Sequence, residues 1–201
     1  MGMCFIGKRK FRNFIDAYIE PKIGNFTLLE NGEVVGKHKG IHHYTLGQKT
    51  GLSLGQNACY SAHMDHKTQE IKLVFSSNHP ALFMKSLTTD APHWLCNQYK
   101  NLTSFRSKVQ FQNKFCSIPC SVNVINDGRN LQIRIDEWFR CIVPGQYAVL
   151  YSPDDEICIG SSQILSSISA WQEGHSEQLK WDSGKLENKY LHNTTDIAEI
   201  N

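Results

Sequence analysis

The pattern of apolar and polar positions follows a helical spacing once, near the start of the chain. Four apolar residues share the i, i+3, i+4, i+7 spacing of one helical face: Phe11, Phe14, Ile15 and Tyr18. Pro21 follows them and ends the pattern, because proline cannot continue a helix. The sequence therefore predicts one short helix at this point.

Strand patterns take over after this helix. Asn31-Gly32 separates the β-prone runs FTLL and EVVG, which is typical of a hairpin with a type I′ turn. The run ACYSAHMDHKTQEIKLVF predicts two further strands around a polar turn. Between the hairpin and these two strands, the segment KHKGIHHYTLGQKTGLSLG carries four glycines and is predicted to be loop rather than a regular element. A small module of one helix and β-hairpins results.

Beyond Trp94 the apolar runs become short and recur at intervals of about 8–12 residues. They are FRSKVQFQNK, IPCSVNVI, LQIRIDE, YAVLY and ICIGSSQIL, with turn residues between them. Such a series indicates a small antiparallel barrel or sandwich. The pattern is lost in residues 171–201, which are polar and predicted to be a disordered tail.

Composition is typical of a globular protein and excludes few functions. The 201 residues are 40% hydrophobic and 20% charged, with a formal net charge of only +2. This charge is compatible with a polyanionic partner but does not require one. No run of about 18 apolar residues occurs, so no membrane span is predicted.

The cysteines argue against a disulfide framework. They are odd in number and widely spaced, and no secretory leader precedes them, which favours a reducing compartment. The seven are Cys4, Cys59, Cys96, Cys116, Cys120, Cys141 and Cys158. Cys116-x3-Cys120 is the closest pair, but no second pair matches it, so we predict no zinc site. A redox or metal-binding β protein built on these cysteines is a less favoured alternative.

His42 and His43 are candidates for metal ligands or acid–base groups, because imidazole serves both roles. Adjacent histidines in a glycine-rich loop are more often surface or packing residues. We therefore interpret them as packing residues and predict no metal ligand in this chain.

The first residues, MGMCFIGKRKF, place Cys4 in a small apolar segment followed by a cluster of basic residues. Lys8 and Arg9 belong to this cluster, and positive charge of this kind favours the thiolate form of a cysteine. Taken by itself, a single cysteine near a terminus is more often an inert thiol.

Six segments, in the same order over roughly residues 1–165, resemble the tRNA-specific 2-thiouridylases, and most closely the mitochondrial branch, the tRNA-5-taurinomethyluridine 2-sulfurtransferases. The segments are GMCFIGKRKFRNFI, GKHKGIHHYTLGQKTGL, NHPAL, IPCSVNV, FRCIVPGQYAVLY and CIGSSQI. The resemblance implies that residues 1–12 end a catalytic domain, 13–83 form a central domain, and 84–170 form a C-terminal β-barrel before the tail. The expected fold class is thus mainly β, with a small central α/β-hairpin module followed by an antiparallel barrel.

The same resemblance implies a role for Cys4. It stands in the CFIG motif, where the family carries the cysteine that holds a persulfide and delivers sulfur to C2 of the wobble uridine. The family's ATP-pyrophosphatase loop, of the SGGVDSS type, is absent from this sequence, as is the other catalytic cysteine, which forms a disulfide during turnover. We therefore expect the chain to be part of a longer enzyme, inactive alone, with ATP and magnesium bound elsewhere and no cofactor bound by this part.

Several residues are expected from the resemblance, or from their charge, to contact tRNA. Gln146 matches a family glutamine that contacts tRNA, although its place in VPGQ also suits a turn residue that ends a hairpin. At Gln110-Phe111 the family's arginine–aromatic pair keeps only its aromatic member, so this contact is expected to be weaker. The full set of expected tRNA contacts is Gln110, Phe111, Gln146, Lys8, Arg9 and Lys49.

The resemblance also implies partners and a compartment. We expect a monomer in the mitochondrion that binds tRNA and receives sulfur from a cysteine desulfurase or a sulfur-relay protein. No transit peptide is recognised in the chain. The alternative is a non-catalytic tRNA-binding fragment that keeps the barrel and lacks thiolation activity.

Overall fold

The structure, a computed structural model, describes residues 11–112 and 114–180. It divides into two compact units, of which the first ends at Leu82 and the second begins at Phe83, one residue before the boundary expected from the resemblance. Each described unit contains one sheet. The prediction of a mainly β protein, with a small module followed by a barrel, is confirmed.

The first unit is a five-stranded sheet preceded by a short helix. Its elements are α1 (Phe11–Ile15), β1 (Gly24–Leu28), β2 (Val34–His38), a 3₁₀ turn (Ile41–His43), β3 (Lys49–Leu54), β4 (Asn57–Asp65) and β5 (Glu70–Val74). The strand order is β2-β1-β5-β4-β3, and β1 pairs parallel to β5 while the other neighbours are antiparallel. The predicted short helix and the predicted β4–β5 strand pair are therefore both present.

The predicted β1–β2 hairpin is confirmed, but its type I′ turn is wrong. The strands are joined by residues 29–33, and of the Asn31-Gly32 pair only Gly32 has a positive φ, of 72°. The Asn31 side-chain oxygen instead accepts a hydrogen bond of 3.0 Å from the backbone N–H of Glu33. A side chain that closes the turn in this way replaces the second left-handed residue.

The prediction that residues 37–55 form only loop is wrong, because β3 runs through Lys49–Leu54. Gly51 lies in this strand with a φ of 83°, where the β3–β4 register shifts between Lys49 and Ser53. Glycine inside a strand commonly marks such a bulge. The glycines of this segment therefore bend the edge strand without ending it.

One apolar cluster lies on the sheet of the first unit. Its buried members are Phe26, Leu28, Ile41, Cys59, Ile71 and Leu73. Tyr44 packs against them, with its ring centroid 5.3 Å from that of Phe26 in an edge-on arrangement. The cluster fixes the 3₁₀ turn at Ile41, and with it the positions of the two histidines that follow.

The second unit is a closed barrel. Its elements are β6 (Phe83–Thr89), β7 (His93–Trp94), α2 (Asn97–Lys100), β8 (Ser104–Gln110), β9 (Ile118–Ile125), β10 (Asn130–Arg140), β11 (Tyr147–Tyr151) and β12 (Cys158–Ser169). The strand order is β11-β8-β9-β10-β6-β12-β7, and β11 also pairs with β12, which closes six strands into a ring. All these pairings are antiparallel. The predicted antiparallel barrel is therefore present.

The barrel interior is filled by apolar side chains that alternate with polar ones along the strands. On β10, Leu131, Ile133 and Ile135 are buried while the residues between them are exposed. This is the period of two expected of a strand with one face in a core. Phe139 lies farther along β10, beyond a register shift, and is also buried.

The first residues of the predicted tail contact the barrel. The backbone N–H of His175 donates to the Ala170 carbonyl at 2.9 Å, and the Glu173 carboxylate pairs with Arg134 at 3.4 Å. Residues 181–201 of the predicted tail lie outside the described part of the chain. Within the described part, no helix has the length and apolarity that crossing a membrane requires.

Candidate nucleic-acid interface

Gln110 and Gln146 are brought to the same edge of the barrel by the pairing of β8 with β11. Gln110 ends β8 and lies opposite Val149 of β11. Gln146 comes directly before β11, which begins at Tyr147. Because the two strands are antiparallel, the end of β8 and the start of β11 lie at the same end of the pair. Phe111 follows Gln110 at this edge.

The turn that carries Gln146 is fixed by backbone hydrogen bonds on both sides. The N–H of Gly145 donates to the Ile164 carbonyl at 2.8 Å, and the N–H of Ile164 donates to the Gln146 carbonyl at 2.7 Å. Gln163 adds a side-chain bond of 3.1 Å to the Gly145 carbonyl. Gly145 has a φ of 89°, a conformation that favours glycine. The turn therefore presents the Gln146 side chain from a rigid position.

The Gln146 side chain itself is left with an unused acceptor. Its Oε1 is buried and has no hydrogen-bond partner among the described residues. A buried polar atom without a partner costs about 1–3 kcal/mol, and native proteins keep few of them. The turn geometry agrees with the interpretation of Gln146 as a turn residue that ends a hairpin. Because the unused oxygen is buried, the side chain must rotate outward for a ligand with a hydrogen-bond donor to satisfy it.

Gln110 is engaged within the barrel. Its Nε2 donates to the Phe115 carbonyl at 2.7 Å, and its Oε1 accepts from the Tyr151 hydroxyl at 3.4 Å. The first bond holds the segment after β8 in place, and the second ties the end of β8 to β11. Gln110 shapes this edge of the barrel, and a contact with a ligand would require its internal bonds to break.

Phe111 belongs to an aromatic cluster at the same edge. Its ring centroid lies 5.1 Å from that of Phe139, and the Phe115 ring lies 5.5 Å from Phe139 in an edge-on arrangement. The Lys114 ammonium lies 5.7 Å from the Phe115 ring centroid. Phe139 is buried, whereas Phe111 and Phe115 are half-buried. The two outer rings therefore expose part of their surface on a packed support.

Tyr147 is a residue that the sequence interpretation missed. It follows Gln146 at the start of β11, and its side chain is 57% exposed. An exposed aromatic ring can stack on a nucleic-acid base. The alternation in YAVLY contains the signal, because buried Ala148 and Leu150 place Tyr147 on the outer face.

Basic side chains of the two described units differ in their availability. Lys108 of β8 pairs with Asp155 at 2.6 Å. This ion pair neutralises its charge locally. Lys49 is exposed at the start of β3 in the first unit. Cys4, Lys8 and Arg9 lie outside the described residues, so their expected roles stay predictions.

The described cysteines include thiols that burial makes unreactive. Burial raises the pKa of Cys120 to about 12 and that of Cys141 to about 11. Cys59 is also buried, which raises its pKa. Since the thiolate is the reactive form, all three thiols are expected to be unreactive; Cys59 and Cys120 are core residues, and Cys141 is half-buried. In the described part of the chain, only Asp16, His42 and His43 form a group of metal-ligating side chains.

Comparisons with known proteins agree with this architecture. A family model of the tRNA methyl transferase PRC-barrel domain matches residues 12–74, and one of the aminomethyltransferase β-barrel domain matches residues 84–164. The chain is 37% identical over 170 residues to the mitochondrial tRNA-specific 2-thiouridylase 1 of Drosophila melanogaster, covering 83% of this chain and 43% of that protein.

Two further relatives extend the comparison. The mitochondrial tRNA-specific 2-thiouridylase 1 of Gallus gallus is 34% identical over 93% of this chain and 46% of its own length. The tRNA-specific 2-thiouridylase MnmA of Psychromonas ingrahamii is 34% identical over 81% of this chain and 45% of its own length. The chain thus spans less than half the length of these curated relatives.

Proposed function

The chain belongs to the tRNA-specific 2-thiouridylase family, and from that premise we propose that it holds tRNA at the β8–β11 edge and carries sulfur on Cys4. The observation that carries the binding part is the unused Gln146 oxygen, buried on a turn fixed by backbone hydrogen bonds. The sulfur part rests on the match of Cys4 to the family's CFIG motif.

The chemistry of this edge suits unpaired RNA. The exposed Tyr147 ring and the half-buried Phe111 ring offer surfaces for base stacking, which is worth about 1–3 kcal/mol per base in other proteins. The Gln146 oxygen accepts from an N–H of a base or from a ribose 2′-hydroxyl. Because the formal net charge is only +2, we expect few phosphate contacts and a shallow salt dependence.

In the proposed sulfur step, the Cys4 thiolate attacks the outer sulfur of a donor persulfide and the donor leaves as a thiolate. The outer sulfur of the Cys4 persulfide then bonds to C2 of the wobble uridine, whose oxygen leaves together with the group that ATP places on it in the whole enzyme. The thiolate of the family's other cysteine breaks the remaining S–S bond by forming a disulfide with Cys4, and an external thiol reductant returns both cysteines to thiols. We assign neither ATP nor magnesium to a residue of this chain. The donor is proposed to be a cysteine desulfurase or a sulfur-relay protein.

The compartment and the oligomeric state complete this proposal. Relatives of the chain are named as mitochondrial enzymes, which supports a mitochondrial location for this protein. We propose that it acts as a monomer.

Sulfur loading is expected at Cys4 and not at the buried thiols. The full chain is incubated with a cysteine desulfurase and cysteine, and the mass of each cysteine-containing peptide is measured by mass spectrometry. We expect one added sulfur atom on Cys4, lost in Cys4→Ser, and none on Cys120 or Cys141, because their raised pKa keeps them protonated at pH 8. Equal loading of Cys4 and Cys120 would contradict a specific role for Cys4.

Binding of tRNA is expected to depend on Gln146. In a filter-binding titration with an unmodified tRNA transcript, Gln146→Ala is expected to weaken binding about three- to tenfold, the equivalent of one hydrogen bond. Gln132→Ala is the matched control, because Gln132 is an exposed glutamine of the same barrel, near the start of β10 and opposite Asn123. A salt series run in parallel measures the number of phosphate contacts.

The outcomes separate the two candidate functions. Binding that depends on Gln146 together with sulfur on Cys4 supports the complete proposal. Binding without sulfur loading would identify a non-catalytic tRNA-binding module. Equal binding by Gln146→Ala and Gln132→Ala would place the tRNA surface elsewhere.

A further inference from the structure

Three ligand-type side chains converge in the first unit. The Asp16 carboxylate oxygen Oδ1 lies 2.9 Å from His42 Nε2 and 2.6 Å from His43 Nε2. Asp16 follows α1, whereas both histidines belong to the 3₁₀ turn Ile41–His43. Two imidazole nitrogens and one carboxylate oxygen therefore meet at one point.

The local backbone holds the two rings together. His42 and His43 are consecutive, and their ring centroids are only 4.3 Å apart. A Cβ on Gly40 would lie 2.5 Å from Cε1 of His42, so the ring occupies space that only glycine leaves open. Ile41, which lies between Gly40 and His42 in the sequence, is buried in the core of the unit. The arrangement of the histidines is thus set by packing and not only by their bonds to Asp16.

We propose that Asp16, His42 and His43 bind one divalent first-row transition metal ion, with Zn²⁺ as the preferred ion. Two histidines and one carboxylate are a ligand set that such ions adopt, with a water molecule in the fourth position. The Asp16 side chain is 36% exposed, whereas those of His42 and His43 are 13% and 9% exposed. The rings are therefore held on the protein side, and the open position faces solvent.

The separations fit this site with a small movement. Ligand atoms around a tetrahedral zinc ion are about 3.3 Å apart, given bonds of about 2.0–2.2 Å. The two N···O separations are shorter than that, so the carboxylate moves outward by a fraction of an ångström when the ion binds. Asp16 can make this movement because it lies on an exposed turn.

Binding would join two separate segments of the unit. The ion would connect the turn after α1 to the loop that carries the histidines, 26 and 27 residues farther along the chain. A metal that binds only the folded form raises the melting temperature with its concentration. The site is therefore expected to act structurally, by fixing the α1 segment on the first unit.

The test is a calorimetric titration of the full chain with Zn²⁺, after exposed thiols have been alkylated so that cysteines do not compete. We expect one equivalent to bind, and Asp16→Asn and His43→Gln each to weaken binding at least about tenfold. His66→Gln is the matched control, because His66 is exposed on the turn between β4 and β5. Zn²⁺ should also raise the melting temperature of the wild type and the control, but not that of the two variants.

Two results would overturn the proposal. One is the absence of stoichiometric binding by the wild-type chain, which would leave the cluster as a carboxylate that accepts two hydrogen bonds. The other is binding of equal strength in Asp16→Asn, His43→Gln and the control. Circular dichroism of each variant without metal shows whether it is folded, and His42→Gln provides an independent variant if one of the others is not.

Discussion

Replacement of Gly24 by alanine is expected to lower the free energy of unfolding of the first unit by about 3 kcal/mol or more. A Cβ at this position would lie 1.9 Å from the Gln69 carbonyl oxygen and 2.6 Å from the His38 ring. The Gln69 oxygen also accepts bonds from the Asn25 N–H at 3.2 Å and from His38 Nε2 at 3.1 Å. Since the obstacle is backbone, the side chain cannot be accommodated without separating β1 from β5. Urea unfolding followed by circular dichroism measures the loss.

Gly36→Ala is the matched control for this prediction. Gly36 lies in β2, next to β1, and a Cβ there would meet its nearest atoms, in Leu52 and Phe26, at 3.6 Å. That distance is an ordinary contact, so the change is expected to stay within about 1 kcal/mol. Hydrogen exchange in peptides of β1 and β5 should rise only in Gly24→Ala. A similar loss in both variants would show that the close approach at Gly24 is not the cause.

Local patterns predicted the elements whose periodicity is set by a single buried face. The alternation in LQIRIDE predicted β10, in which Ile133 and Ile135 are buried. The Asn31-Gly32 signal located the β1–β2 hairpin, although the Asn31 side chain closes a longer loop than predicted. Closure of the barrel, by contrast, depends on β11 pairing with both β8 and β12. The sequence alone allowed a sandwich as well, because such pairings are not encoded in a local period.

The glycine-rich segment shows why the remaining elements were missed. Four glycines between residues 40 and 55 indicated loop, yet β3 forms there because its partner β4 supplies hydrogen bonds across a bulge at Gly51. Tertiary pairing in this case overrides local preference. The same segment carries His42 and His43, whose interpretation as packing residues could not include Asp16. That carboxylate is distant in sequence and approaches only in the folded unit.

The hydrogen bonding of individual side chains at the barrel edge also could not be predicted from the sequence. Gln110 and Gln146 are chemically identical and were both expected to contact tRNA. The structure satisfies the Gln110 amide at both ends and leaves the Gln146 oxygen unpaired. Only the surrounding backbone and Tyr151 distinguish them. The two glutamines therefore have different expected effects on binding, which motif matching would treat as equal.

Replacement of Phe139 by alanine is expected to destabilise the barrel by about 3–5 kcal/mol, the range for removing a fully buried aromatic side chain. Phe139 is 1% exposed, and the rings of Phe111 and Phe115 both pack against it. Its removal leaves a cavity that backbone on neighbouring strands cannot fill. Urea unfolding measures the loss, and a change below about 1 kcal/mol would contradict the packing described here.

Phe139→Leu separates the stability of the barrel from the support of its edge. Leucine fills most of the volume, so the loss of stability is expected to be within about 1.5 kcal/mol and the barrel stays folded. The outer rings of Phe111 and Phe115 nevertheless lose their aromatic partner, and we expect tRNA binding to weaken in this folded variant. Gln146→Ala should weaken binding without lowering stability, because its oxygen makes no internal bond that the substitution could break. If Phe139→Leu binds tRNA as the wild type does, the aromatic cluster is core alone, and the interface rests on the turn that carries Gln146.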